Sequence, residues 1–301
     1  METNQTKAGI GYAVLAYLIW GLLPLYWKLF ASMSSWEVLA HRVLWSFVFV
    51  ALVVTVMRRW GELKAMFASR KVVLVVCASS LLISCNWLIF IWAVNNDHVI
   101  ESSLGYYMNP LFNVLMGVLF LKERPRFGQW LAIALAFAGV AYMTLIYGKF
   151  PWISLTLALT FGLYGLTKKK LPLDSMLGLV GETVLVLPVG LLYLGYIYIT
   201  GASTVGNLPL SSLMALLLAG AATAVPLWAF AQATKRMSLS TLGFLQYIGP
   251  TITLFLGVVV FKEAFSSAHM VSFSLIWSAL VLYTIASNRK SAAVSTPNAA
   301  A

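Results

Sequence analysis

Uncharged, mostly apolar runs follow one another along nearly the whole chain, at 8–27, 43–57, 72–96, 102–121, 127–148, 150–167, 183–234, 237–261 and 264–288. A helix needs about 20 apolar residues to cross a bilayer. The run 183–234 has room for two crossings, and the polar stretch 201–209 divides it. The pattern therefore predicts ten spans, near 9–30, 36–57, 72–94, 101–121, 127–147, 150–167, 176–200, 210–234, 241–261 and 267–288. Lipid offers backbone groups no partner, so these spans are expected to be helices and the protein all-α. The first span is too long for a secretory signal and lacks a cleavage context, so it is expected to be retained. The Ser-, Pro- and Ala-containing end, 291–301, is expected to be a disordered tail.

Composition agrees with membrane insertion. The chain is 61% apolar and 10% charged, whereas soluble domains are about a quarter charged. A net charge of +11 would suit nucleic acid, but the basic residues gather in alternate connections: Lys7, 58–71, 122–126, 168–170, 235–236 and 289–290. These segments hold 16 of the 20 Lys and Arg, the positive-inside bias that orients a multi-pass protein. It places both termini in the cytoplasm and argues against a nucleic-acid partner. Cys77 and Cys85 fall on one predicted span about 12 Å apart, too far to bridge each other. They read as packing residues, and no metal or cofactor is expected.

The chain also repeats itself. Pro-x6-Gly-x4-Lys-Glu occurs at Pro110/Gly117/Lys122/Glu123 and again at Pro250/Gly257/Lys262/Glu263, 140 residues on. Trp20-Gly21-Leu22 matches Phe161-Gly162-Leu163, Ser35 matches Ser175, Asn86 matches Pro226, Phe90 matches Phe230, and Tyr107 matches Tyr247. Five spans per copy is odd, so the second copy is expected upside down. The loop charges follow: 31–35 and 95–100 lack Lys and Arg, while their counterparts carry Lys168–Lys170 and Lys235–Arg236. The predicted units are 1–148, 149–290 and the tail 291–301. Inverted repeats interrupted by matched prolines typify carriers whose substrate site lies near the bilayer midplane.

Two such five-helix units resemble the drug/metabolite transporter superfamily, with its paired EamA-type domains. The strings 40–46 (Ala-His-Arg-Val-Leu-Trp-Ser), 84–95 (Ser-Cys-Asn-Trp-Leu-Ile-Phe-Ile-Trp-Ala-Val-Asn) and 101–111 (Glu-Ser-Ser-Leu-Gly-Tyr-Tyr-Met-Asn-Pro-Leu) are similar to RarD-like permeases, the chloramphenicol-sensitivity group. The resemblance implies a bacterial inner-membrane carrier of small metabolites or drugs and names no substrate.

The candidate site residues are polar or aromatic groups within spans. Tyr106, Asn109, Pro110 and Asn113 share one helix face, echoed in the ninth span by Gln246, Pro250 and Thr253, with Tyr247 beside them. The amides would line a cavity, or else bind carbonyls freed by the proline, and the two prolines are hinge candidates. Trp20, Asn86, Trp87 and Trp228 join the list, with Asn86 equally suited to hold helices together. Trp27 reads as an interfacial anchor. Arg42 and Glu182 occupy equivalent positions in the two copies, and charges there need a cavity or a partner. Ideal geometry separates their backbones by roughly 11 Å along the membrane normal, favouring one charge in each vestibule over a salt bridge. Arg42, with Trp45 and Ser46 on its face, is expected to attract a carboxylate or zwitterion, the alternative being that it snorkels or fixes a neighbouring helix. Glu182 and His41 are the proton-coupling candidates.

The site predicted is a central cavity lined by spans 1, 3, 4, 6, 8 and 9, with spans 5 and 10 peripheral. No constellation for catalysis is present, so an enzyme is not expected. A passive channel or a lipid flippase are the rival classes, and the partners expected are a small molecule and the bilayer, for a monomer or homodimer.

Overall fold

The computed structural model describes residues 2–122, 127–145, 148–170, 175–237, 242 and 245–294. Its helices are α1 (Glu2–Lys28), α2 (Ser35–Val56), α3 (Trp60–Phe67), α4 (Arg70–Asn95), α5 (Val99–Leu121), α6 (Phe127–Leu145), α7 (Trp152–Lys170), α8 (Ser175–Ile199), α9 (Leu210–Leu217), α10 (Ala219–Thr234), α11 (Ile248–Phe255) and α12 (Ser267–Val294). A 3-10 turn covers Val205–Asn207, and α11 runs into a π-helical turn at Leu256–Val260. The described residues hold no strand.

Among the described residues, six helices are long and apolar enough to cross a membrane, or seven when the bent pair α9–α10 counts as one. Large apolar side chains such as Leu52, Leu145, Leu192 and Ile199 stand fully outward. In water such a surface would aggregate; in a bilayer it meets acyl chains. The chain is thus an all-helical, multi-pass membrane protein.

The most extensive helix pairs are α6 with α12, α5 with α7, and α2 with α8, and α5 also meets α11. Helix α1 packs on α10 and α11, while α7 packs on α4 and α5. Helix α2 also meets α10, and α8 meets α4. One apolar core joins α1, α2, α4 and α8 through Trp27, Phe30, Val43, Ile91 and Leu179. A second joins α5, α6 and α12 through Leu104, Tyr107, Ala132, Ala136, Phe273 and Ile276. Helices α6 and α12 pack on each other and on α5, at the edge, as their few polar groups led one to expect.

Helix α2 starts at a Ser-x-x-Glu capping pattern, with Ser34 Oγ accepting the Glu37 N–H at 3.1 Å. The Glu37 carboxylate turns instead to the connection after α8, accepting from Ser203 Oγ at 2.8 Å and from Thr204 N and Oγ1 at 3.0 and 2.8 Å. A buried carboxylate is thereby satisfied without a cation.

The elements differ from the sequence pattern in three places. The predicted loop 58–71 contains α3, whose Leu63 and Met66 are buried, with Met66 against Gly181 of α8. The span 210–234 is broken at Leu218 by a 41° bend. Two residues on, Gly220 meets α2 so closely that a Cβ would lie 2.1 Å from the Trp45 carbonyl oxygen, so the chain bends where it must press against a neighbour. In the span 241–261, a turn at Gln246–Tyr247 precedes α11. Pro250 is the third residue of α11, in the first turn, where a missing N–H leaves no hydrogen bond unmade. Pro110 does stand inside a continuous helix, α5. At the C-terminus, α12 reaches Val294, and residues 295–301 of the expected tail lie outside the described residues.

Candidate functional site

Arg42 is the centre of the most unusual environment in the bundle. It is 4% exposed, on α2 where that helix meets α10. Its Nε donates to Thr223 Oγ1 of α10 at 3.1 Å. Its guanidinium carbon lies 4.0 Å from the ring centroid of Trp87 on α4 and 4.8 Å from that of Trp27 on α1. Such cation–π contacts contribute about 2 kcal/mol each when desolvated. Four helices therefore converge on one cation. Its Nη1 is buried without a hydrogen-bond partner, as are Trp27 Nε1, Trp45 Nε1 and Ser46 Oγ. Among the described residues no carboxylate pairs with it.

Trp27 was expected at the lipid interface. It is fully buried instead, because the α1 stripe that carries it turns inward against Arg42. Thr223 carries no sequence signal that would have marked it.

Asn86 of α4 donates to Leu157 O at 3.0 Å and to Thr160 Oγ1 at 2.9 Å, tying α4 to α7. Tyr106 of α5 reaches its Oδ1 at 3.5 Å. The Tyr106 ring packs edge-on against Phe90 and Phe161. Asn86 thus joins two helices and holds the Tyr106 phenol beside them. Arg42, Trp87, Tyr106 and Asn86 form one connected group.

Glu182 of α8 is 3% exposed and belongs to a second group. It pairs with Lys168 and accepts from Ser79 Oγ, while Tyr164 OH lies 3.3 Å away. Lys168 was expected in a cytoplasmic connection, but its long stem carries the ammonium back to the carboxylate. Glu182 does not pair with Arg42, in line with the separation worked out above. Neither charge is open to a vestibule in this conformation, for helix packing covers both.

The repeated proline motif builds a third contact. Ser103 Oγ of α5 donates to Pro250 O at 2.8 Å, and Tyr107 OH lies 2.6 Å from Thr251 Oγ1. Gly257 lets the π-helical turn approach α5, for a Cβ there would sit 2.9 Å from Ile100 Cγ1. Glu263 then caps α5, accepting from Val99 N and Ile100 N at 2.7 and 2.8 Å. Burial pushes its carboxyl above the usual range, against the pull of those two N–H groups. Lys122 and Lys262 share a left-handed φ of 56°, so both copies leave the helix in the same way. Glu123, the side chain of Asn113 and the surroundings of Gly117 lie outside what the structure describes.

The other candidates stand apart from Arg42. Trp20 packs on Tyr17 and Phe230. Trp228 is exposed and meets Tyr12, since five residues beyond Thr223 is about 140° round a helix. Tyr247 stacks on Tyr107, with Gln246 half-buried beside it. Asn109 Oδ1 and His41 Nδ1 are buried and unpartnered. Cys77 and Cys85, expected to pack internally, are exposed; on an apolar helix the lipid side looks like the core side. One cavity, of about 570 Å³, lies among Met33, Trp36, Leu88, Trp92 and Trp152. Another, of about 390 Å³, lies among Tyr107, Tyr247 and Trp277. Arg42 lines neither of them. Among the described residues no group of His, Cys, Asp or Glu is placed to hold a metal.

Comparison with known proteins agrees with this architecture. The model of the EamA-like transporter family matches residues 7–145. An uncharacterized transporter of Bacillus subtilis, YojE, is 44% identical over 291 residues, which are 94% of this chain and 96% of that protein. Protein RarD of Escherichia coli is 42% identical over 285 residues, 95% of this chain and 96% of its own. The chloramphenicol-sensitive protein RarD of Pseudomonas aeruginosa is 30% identical over 279 residues, covering 91% and 92%. A solved crystal structure superposes with a TM-score of 0.59 at 18% identity, over 96% of this chain and all of that one, a likeness of fold alone. On these similarities, the chain belongs to the EamA-like transporter family, among its RarD-like permeases.

Proposed function

We propose that the protein is a secondary carrier that moves small metabolites or drug-like molecules across the bacterial inner membrane by alternating access, with Arg42 at the substrate seat. The observation that carries this reading is the pattern of helix pairs. Let α1 exchange with α7, α2 with α8, α4 with α9–α10, α5 with α11, and α6 with α12, as the sequence repeat prescribes. The pairs α2–α8, α5–α11 and α6–α12 map onto themselves, α1–α10 becomes α7–α4, α1–α11 becomes α7–α5, and α2–α10 becomes α8–α4. Each of these pairs is in contact. A bundle organised about such an axis supports two related halves that rock against each other.

On this reading there are ten crossings: α1, α2, α4 to α8, the bent pair α9–α10, the segment ending in α11, and α12. Helix α3 lies along the cytoplasmic surface, both termini are cytoplasmic, and Arg42 stands in the outer half. The turn at Gln246–Tyr247 beside Pro250 and the stretch of α5 around Pro110 are the hinges. Relatives carry the name of transporter, which supports transport over catalysis. The test is counterflow: purified protein in liposomes preloaded with a ligand found by thermal-shift screening. Transient accumulation of labelled ligand against its gradient supports a carrier. Linear, unsaturable equilibration would mean a passive pore and end the proposal.

A further inference from the structure

Three ionic side chains, Glu37, Arg42 and Glu182, are each at most 4% exposed, and the protein satisfies two of them with donors of its own. Glu182 has Lys168. Glu37 has the hydroxyl and amide groups of Ser203 and Thr204. Arg42 has one neutral hydroxyl, two indole faces, and an Nη1 that meets no acceptor. A buried charge is costly unless it is paired and hydrogen-bonded, so this fold leaves unfilled at Arg42 what it supplies at both carboxylates.

The orphaned groups on the Arg42 face of α2 and on the Trp27 ring beside it can all donate, while His41 Nδ1, orphaned too, lies about 100° round the helix. Trp27, whose ring covers the guanidinium, has a buried indole N–H without a partner. Trp45 Nε1 and Ser46 Oγ, three and four residues on along α2, are in the same condition and share its face. An indole N–H can only donate, a guanidinium can only donate, and a hydroxyl can donate. The orphaned carbonyl acceptors belong to Asn95 and Asn109, on α4 and α5. Arg42, Trp27 and Ser46 are each more than nine-tenths buried.

We propose that the Arg42 seat is a monovalent-anion site, in which Arg42 Nη1 and the Trp27 N–H hold a single negative group between the aromatic walls. The anion is either the carboxylate of the transported molecule or a free halide. Only the first form rests on the carrier reading; the site itself does not. A divalent anion would bring a charge that nothing in the seat offsets, and a neutral amide would set its own N–H groups against these donors.

Thermal unfolding of the full-length protein in detergent tests this, with sodium bromide, benzoate or benzamide titrated at constant ionic strength held by sulfate. Bromide, benzoate or both should raise the midpoint along a saturating curve, while benzamide should leave it unmoved. Arg42→Gln should weaken the anion response at least tenfold. Arg42→Lys, which keeps the charge, should retain the preference for benzoate over benzamide. Trp27→Phe keeps the ring and removes the donor, and should weaken anion binding several-fold. These last two variants decide the matter if Arg42→Gln fails to fold. A response to bromide alone assigns a free halide, and a response to benzoate assigns a carboxylate. Benzamide acting as benzoate does, no saturable response to either anion, or an unchanged response in Arg42→Gln would each overturn the site. Anion binding without counterflow would remove the carrier and leave the site; counterflow of neutral solutes untouched by Arg42→Gln would do the reverse.

Discussion

Two glycines on either side of α2 give a sharp prediction. Gly220 of α10 and Gly190 of α8 both face α2 backbone. A Cβ at Gly220 would lie 2.1 Å from the Trp45 carbonyl oxygen and 2.8 Å from Phe49 Cβ, whereas one at Gly190 would lie 3.8 Å from the Ala40 oxygen. The first distance falls short of van der Waals contact by roughly 1 Å or more, and its obstacle is backbone that cannot swing aside. Gly220→Ala must therefore push α10 from α2. Overpacking costs about 1–3 kcal/mol. Gly220 is also three residues from Thr223, so the Arg42–Thr223 hydrogen bond is strained, and a bond to a charged group contributes about 1.5–3 kcal/mol. A loss of about 2.5–6 kcal/mol follows. Gly190→Ala meets only ordinary contact and replaces a poor helix former, so it should be neutral or stabilising by up to about 1 kcal/mol. Unfolding of both variants in the same detergent reads the contrast. If Gly220→Ala is as stable as Gly190→Ala, the close packing of α10 on Trp45 is wrong, and with it the geometry assigned to Arg42.

Lys168→Met should leave Glu182 buried without its counter-ion, at a cost of about 3 kcal/mol, the lower end because the lysine side chain is 31% exposed. Lys168→Met with Glu182→Gln should recover most of that loss in thermal unfolding; a double variant as unstable as the single would sink the ion pair. Glu263 holds its proton more tightly folded than unfolded, because burial raises its carboxyl from the ordinary value of 4.5. Its contribution is thus present below that value and lost as pH rises through the raised one. The parent should lose stability relative to Glu263→Gln on raising pH through this window, and the opposite slope in paired melts would contradict the burial. Gly257→Ala should loosen the same contact by driving a methyl into Ile100, lowering the unfolding midpoint by several degrees; an unchanged midpoint would deny the close approach.

That the chain is helical and crosses a membrane several times was legible because lipid leaves the sequence few choices. A crossing must be long, apolar and helical, and a repeated Pro, Gly and Lys-Glu mark repeated backbone events, as the shared φ at Lys122 and Lys262 bears out. What faced what was far less legible. Lipid and core are both apolar, so Cys77 and Cys85 carry no mark of their outward side. Trp27 suits an interface and an interior equally, and only the fold brings it to Arg42. Helix α3 spans eight residues, too short for periodicity to betray it. The break at Leu218 depends on Gly220 meeting α2, a tertiary cause without a local signal. Arg42 and Glu182 stood out because a charge within a span demands a reason. Their partners, Thr223 and Lys168, did not, since each looks ordinary where it stands.

The central claim is that the two halves rock about the Arg42 seat, exposing it to each side of the membrane in turn. Thr223→Cys, in a variant with Cys77 and Cys85 replaced by alanine, puts one thiol against Arg42 Nε. Its labelling by a membrane-impermeant thiol reagent, applied in separate vesicle preparations from the outside or from the inside, is the decisive measurement. Alternating access predicts reaction from both sides, slowed in each by a bound ligand. Reaction from one side only, or from neither, would contradict it.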